Sequence, residues 1–116
     1  MNNMNMSSIF YDEMIQSAIV CASECEHMVN ECLQSKALEK IKHCILAALD
    51  CADTCHTLVR LLGRNSQFVL EMLLFTAKVC DHTADTLEKY KEESSCVRAA
   101  NVARECATKC RNFAVT

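Results

Sequence analysis

The chain has 116 residues, 51% of them hydrophobic and 23% charged, with a formal net charge of −3, which suits one soluble domain with a single core. One glycine and no proline argue against a β-rich fold, which needs more turn residues, and for long helices on short loops. The absence of a basic tract argues against nucleic acid or acidic membrane surfaces as partners, and no stretch approaches the roughly 18 uninterrupted apolar residues of a membrane span.

In chain order, residues 1–7 read as a disordered tail. They have no basic n-region and no apolar h-region, so no secretory signal is expected. The first helix is expected from about Ser8 to Leu33, with Met14, Ala18, Cys21, Cys25, Met28 and Cys32 on one stripe at three- and four-residue spacing. The second starts near Ser35 as N-cap and ends at Leu62, with Gly63 at the C′ position. Its inward face reads Ile41, Cys44, Ala48, Cys51, Cys55, Leu58 and Leu62. The third starts near Asn65 or Ser66 and ends near Tyr90 or Lys91, with Val69, Leu73, Thr76, Cys80, Thr83 and Leu87 inward. The fourth follows Ser94 or Ser95 and runs to about Phe113, with Cys96, Ala99, Ala103, Cys106 and Cys110 inward. Four such helices make an all-α, antiparallel up-down-up-down four-helix bundle over residues 8–116. The segment Phe68-Val-Leu-Glu-Met-Leu-Leu-Phe75 is apolar on more than one side, which points to a second protomer against the outer side of helix 3.

All ten cysteines fall on these inward stripes. Three pairs are Cys-x-x-x-Cys (Cys21/Cys25, Cys51/Cys55 and Cys106/Cys110), and Cys25 to Cys32 and Cys44 to Cys51 are seven apart. Both spacings return to the same helix face. Counting heights from the loops puts Cys32 near Cys96 and Cys25 near Cys44. Cys21, Cys80 and Cys106 then share a middle layer, Cys51 goes with Cys110, and Cys55 lies level with Met14. The thiols form a column about 25 Å long. Leu58, Leu62, Val69, Leu73 and Phe113 close one end, which leaves the end with Cys32 and Cys96 as the open one.

Few chemistries use such a column. Cysteine often packs as a small hydrophobe, but Ala, Val or Leu would pack as well without the oxidation hazard. Residues four apart on a helix hold their Cβ atoms about 5–6 Å apart, beyond the roughly 3.8 Å of a disulfide. Structural zinc and iron–sulfur sites favour tight knuckles such as Cys-x-x-Cys, and no Cys-x-x-Cys occurs. Glu24-x-x-His27 and Asp53-x-x-His56 have di-iron spacing, but both histidines lie well off the cysteine face and no Glu points inward. His27, His43, His56 and His82 read as surface or interface residues. Cu(I) fits best. It is soft, takes thiolate and thioether ligands, and accepts low coordination numbers. Two thiolates one turn apart can hold the ion and a facing thiolate can complete the site. Met14 and Met28 lie on the stripe as core residues with thioether potential. Met1, Met4 and Met6 belong to the tail and could form a soft-metal lure. Thiols in a dry core stay protonated when empty, so loading should displace protons. No nucleophile–base pair, phosphate loop or nucleotide motif is present, which points away from an enzyme.

The segments Cys51-Ala-Asp-Thr-Cys55-His56, Leu58 to Gly63, Ala77-Lys-Val-Cys80-Asp-His82 and Arg104-Glu-Cys-Ala-Thr-Lys-Cys110 resemble the cytosolic copper storage proteins. The likeness runs from about Ile9 over nearly the whole chain. It implies a homotetramer of Cys-rich bundles, each storing several Cu(I) ions on core thiolates in the cytoplasm, with a copper chaperone as a candidate delivery partner. Family members commonly carry more cysteines, with a richer helix 3 than the lone Cys80 here, which lowers the expected capacity. The metal residues expected are Cys21, Cys25, Cys32, Cys44, Cys51, Cys55, Cys80, Cys96, Cys106 and Cys110. The alternatives are a thiol redox-responsive or metal-sensing bundle without storage capacity, and a purely structural bundle presenting an interaction surface.

Overall fold

A computed structural model describes residues 2–36 and 38–115, with side chains from residue 10 onward. Its elements are α1 (Asn2–Cys32), α2 (Leu38–Gly63), α3 (Val69–Leu87) and α4 (Ser94–Ala114). Each helix packs on two neighbours (α1 on α2 and α4, α3 on α2 and α4), and the diagonal pairs meet through core side chains, Cys21 with Cys80 and Cys55 with Cys106. The result is the expected antiparallel four-helix bundle, a rod of 56 × 20 × 20 Å.

The core explains the shape. Alanine and cysteine fill most of the buried stripes, and α4 buries only these two types along with Ser95. Small side chains let the helices approach closely and leave the cysteine sulfurs as the largest atoms in the middle. Bulkier side chains close both ends: Met28, Ile41 and Leu87 are buried toward the α1–α2 and α3–α4 turns, and Leu58, Leu62 and Leu73 are buried at the far end, where Phe113 stacks edge-on against Tyr11 at 5.4 Å.

The helix ends differ from the expected ones for local reasons. α1 begins at Asn2, ahead of Ser8. Met1 lies outside the described residues, as do the side chains of Met4 and Met6. α2 begins at Leu38, not Ser35, because the Ser35 amide bonds back to the Cys32 carbonyl and belongs to the exit from α1. Gly63 is not the left-handed residue at the end of α2. That residue is Asn65, with φ 52°. The amides of Asn65 and Ser66 return to the carbonyls of Leu62 and Leu61 at 3.1 and 2.9 Å, a Schellman ending with Asn at C′. The Tyr11 hydroxyl donates to Asn65 Oδ1 at 2.8 Å, so α1 holds this turn. The turn delays α3 until Val69. At its other end α3 stops at Leu87, and Tyr90 leaves the helix to donate its hydroxyl to the Lys40 carbonyl of α2 at 3.2 Å.

Ion pairs set the register outside the core. Arg104 reaches Asp81, Asp85 and Glu88 at 2.9, 2.7 and 3.0 Å, and Arg111 reaches Asp81 at 2.6 Å, all between α4 and the α3 end of the bundle. Desolvation pushes the Asp81 carboxyl up, but hydrogen bonds from Arg111 and Arg104 outweigh it and hold it below the usual range. On the outer side of α3, Phe68, Leu70, Leu74 and Phe75 stand about half exposed, as the apolar run from 68 to 75 leads one to expect.

Candidate metal centre

All ten cysteines are free and buried, and they assemble into three groups, two of them sharing a sulfur. Cys21, Cys25 and Cys51 bring their sulfurs within 4.8 Å of one another, and Cys21, Cys55, Cys80 and Cys106 do the same. Cys21 belongs to both. The groups also touch through Cys51, whose sulfur lies 3.8 Å from that of Cys21 and 3.7 Å from that of Cys80. Cys110 adjoins Cys106 one turn further along α4. The third group sits at the end with the α1–α2 and α3–α4 turns. There Cys96 pairs with Cys32 and Cys44 meets the Tyr90 phenol, while Ser95 Oγ lies 3.9 Å from Cys32 Sγ.

This arrangement keeps two of the expected levels and corrects the others. Cys32 does meet Cys96, and Cys21, Cys80 and Cys106 do share a layer. Cys25, however, joins Cys21 and Cys51, and Cys44 joins Cys32 and Cys96. Cys51 lies with Cys21, Cys25 and Cys80, not with Cys110. Cys55 lies with Cys21, Cys80 and Cys106, not level with Met14. The cause is the α1–α2 connection. With α2 starting at Leu38, every α2 residue shifts by about one turn against α1.

The protonation pattern follows from sulfur–sulfur hydrogen bonding. The Cys51 thiol is pushed down because Cys21, then Cys25, Cys55 and Cys80, can donate S–H to it. Cys106 is pushed down in the same way, first by Cys110 and then by Cys21, Cys55 and Cys80. The donors are held as thiols. Cys25, Cys55, Cys80 and Cys110 all rise, led in each case by a hydrogen bond to a neighbouring sulfur. Within such a cluster Cys51 and Cys106 serve as hydrogen-bond acceptors, and the neighbouring thiols hold their protons until something replaces them.

At the turn end desolvation dominates, raising Cys44 to about 11 and Cys96 to about 12, with the nearby Cys32 adding to both. In an unfolded chain a thiol ionises near pH 8.5. Above that pH the unfolded state binds fewer protons than the folded one, so stability falls as pH rises. The contribution is intact below about pH 8.5 and is lost as pH climbs through 11 and 12. Reduced, metal-free protein should therefore lose on the order of 3 kcal/mol from Cys44 alone across this window. Urea midpoints at pH 8 and pH 11 measure it, and a constant midpoint would contradict neutral buried thiols.

The histidines stay off the column, as expected. His27 pairs with Glu31 at 3.2 Å and His56 with Glu26 at 3.0 Å, all with substantially exposed side chains. His43 lies against Tyr90, Nε2 to hydroxyl 2.8 Å, and His82 is exposed. Met14 and Met28 are buried core residues. Two residues near the thiols escaped sequence reasoning, Ser95 and Tyr90. Ser95 sits one place before a stripe cysteine and gave only a capping signal. Tyr90 lies in a turn, where no periodicity exists to mark it. Of the polar α3 stripe, Thr83 Oγ1 donates to the Ala47 carbonyl at 3.3 Å, whereas Thr76 Oγ1 is buried without a partner.

A closed bundle whose interior is a chain of soft thiols, with the nitrogen and oxygen ligands left outside, defines a soft-metal-binding four-helix bundle. The sequence profile of the copper storage proteins (Csp) matches residues 8–115, and the chain belongs to that family. The cysteine-rich protein YhjQ of Bacillus subtilis strain 168, itself uncharacterised, is 26% identical over 105 residues, 90% of this chain and 96% of that one. Among solved structures, the Cu(I)-bound copper storage protein BsCsp3 superposes with a TM-score of 0.86 at 26% identity, covering 90% of this chain and 98% of that one. A cytosolic copper storage protein from Streptomyces lividans, with five coppers, superposes with a TM-score of 0.90 over 97% and 98% of the two chains. At 21% identity that likeness speaks for the fold alone.

Proposed function

We propose that this chain stores Cu(I) along its core, several ions per chain, with the ten buried cysteines as ligands and no enzymatic activity. The observation that carries the reading is the pair of sulfur clusters sharing Cys21. Their spacing suits ions bridged by common thiolates, and their walls exclude harder ligands. The cuprous ion is the replacement the protonated thiols await, since each ion bound displaces protons. The family's role in copper storage, and the Cu(I)-bound state of the relative BsCsp3, agree with a copper store. The cytoplasm is the proposed compartment, because free thiols persist under reducing conditions. No described helix is long and apolar enough to cross a membrane. A homotetramer is the proposed assembly, its contact supported by the half-exposed Leu70, Leu74 and Phe75 of α3, and a copper chaperone is the proposed donor.

Anaerobic titration of the reduced protein with Cu(I) against a competing chelator tests the storage reading. Tight uptake of several ions per chain is expected, and uptake of one or none would overturn it. The short Cys21–Cys51 and Cys51–Cys80 contacts favour a second reading, a thiol redox protein. That reading requires reversible cross-helix disulfides after mild peroxide, detected by alkylation and mass mapping, with little copper uptake.

A further inference from the structure

Storage requires a way in, and the end of the column expected to be open is covered. Tyr90 bridges the α3–α4 turn to α2 there, bonded to the Lys40 carbonyl and to His43, and Cys32, Cys44 and Cys96 beneath it are at most 1% exposed. The opposite end is packed with leucine. A different opening lies on the flank. A groove of about 730 Å³ runs between α1 and α4, and Met14 and Cys106 both line it. Cys106 is 2% exposed, against 0–1% for the other nine cysteines. It is also a member of the four-sulfur cluster with Cys21, Cys55 and Cys80. The groove's charged residues are Asp12, Glu13 and Glu105 against Lys109 alone.

We propose that this α1–α4 groove is the port through which Cu(I) reaches the column, with Met14 and Cys106 as its first soft ligands. The inference rests on the storage reading above. Acidic residues around a concave site raise the local concentration of a cation and its rate of arrival. A thioether and a thiol lining one groove match the preference of a cuprous ion and of few other cations. At Cys106 the ion leaves a weak donor ligand and forms a copper–sulfur bond while the thiol proton passes to solvent. Exchange among neighbouring sulfurs then carries the ion to the Cys21 cluster, since Cys106 already lies within 4.8 Å of that thiol. The route enters the column one helical turn from its Cys110 end, so filling proceeds mainly from the four-sulfur cluster toward Cys32, Cys44 and Cys96.

The test compares two charge-reversed proteins, E13K/E105K at the groove and E39K/E92K at the Tyr90 end. All four positions are exposed, so both variants should fold. Each is mixed anaerobically in a stopped-flow instrument with Cu(I) as its cationic acetonitrile complex, and thiolate-to-copper absorption is followed. The groove variant should load about tenfold more slowly than the parent, and the end variant should load at the parent rate. Equal rates in all three proteins, or slowing only in the end variant, would overturn the port. In parallel, limiting iodoacetamide on the native metal-free parent should label Cys106 before any other cysteine. First labelling at Cys32, Cys44 or Cys96 would overturn the port as well. The absorbance plateau reads capacity separately from rate. A parent that loads fully by another route refutes the port alone, whereas a parent with no plateau refutes the storage reading together with it.

Discussion

Replacing Cys21 with alanine should remove more Cu(I) from the protein than replacing any other single cysteine. Cys21 is the one sulfur common to the two clusters, and it lies 3.8 Å from Cys51. Its loss leaves Cys25 and Cys51 as a pair and Cys55, Cys80 and Cys106 as a trio, joined only by the Cys51–Cys80 contact at 3.7 Å. Both then lack the ligand that belongs to the two clusters at once. The comparison is Cys110→Ala, which trims the column beyond Cys106. Native mass spectrometry after loading should show at least twice as many ions lost from C21A as from C110A. The metal-free variants should differ little, because deleting one buried sulfur costs about 1 kcal/mol at either place. Equal copper losses from the two variants would mean that the ions bind as independent pairs, and the linked-cluster reading would fail.

The largest effect on metal-free stability is expected at Leu58. It is fully buried in the leucine-filled end, where α2, α3 and α4 converge on Leu62, Leu73 and Phe113. Leu58→Ala should destabilise the reduced metal-free protein by about 2–5 kcal/mol, through lost transfer energy and an unfilled cavity. The thiol column cannot make up the difference, since cysteine and alanine side chains contribute little burial each. Loading with Cu(I) should restore much of the loss. Ions bound only by the folded chain shift the equilibrium by mass action, and the two clusters join residues of two and of all four helices. Urea unfolding with and without copper measures both quantities. A loss below 1 kcal/mol without metal would show that the leucine end does not anchor the fold.

The helix count, the antiparallel order and the inward direction of every cysteine were legible in the sequence, because three- and four-residue spacing and the scarcity of glycine and proline constrain them strongly. The height of α2 was not. It depends on where a short connection reverses, and Ser35 reads as an N-cap although its amide completes the exit from α1. That one displacement moved Cys25, Cys44, Cys51 and Cys55 to different partners. Gly63 misled for a related reason. Glycine is the usual left-handed residue, but asparagine tolerates the same conformation, and Asn65 gains the Tyr11 hydrogen bond by taking it. Tyr90 and the α1–α4 groove carried no periodic signal at all, since a turn residue and a surface depression arise from tertiary packing.

The two threonines on the inward face of α3 give the column an adjustable length over evolutionary time. Thr76 and Thr83 flank Cys80 on the same buried stripe, and each differs from cysteine by little in volume. Thr76 does not satisfy its own hydroxyl, so its exchange for cysteine forfeits no hydrogen bond. Thr83 would give up the bond to Ala47, which makes it the more conservative position of the two. Lineages of such bundles can therefore gain or shed sulfur one residue at a time while the backbone, the turns and the outer charges stay as they are.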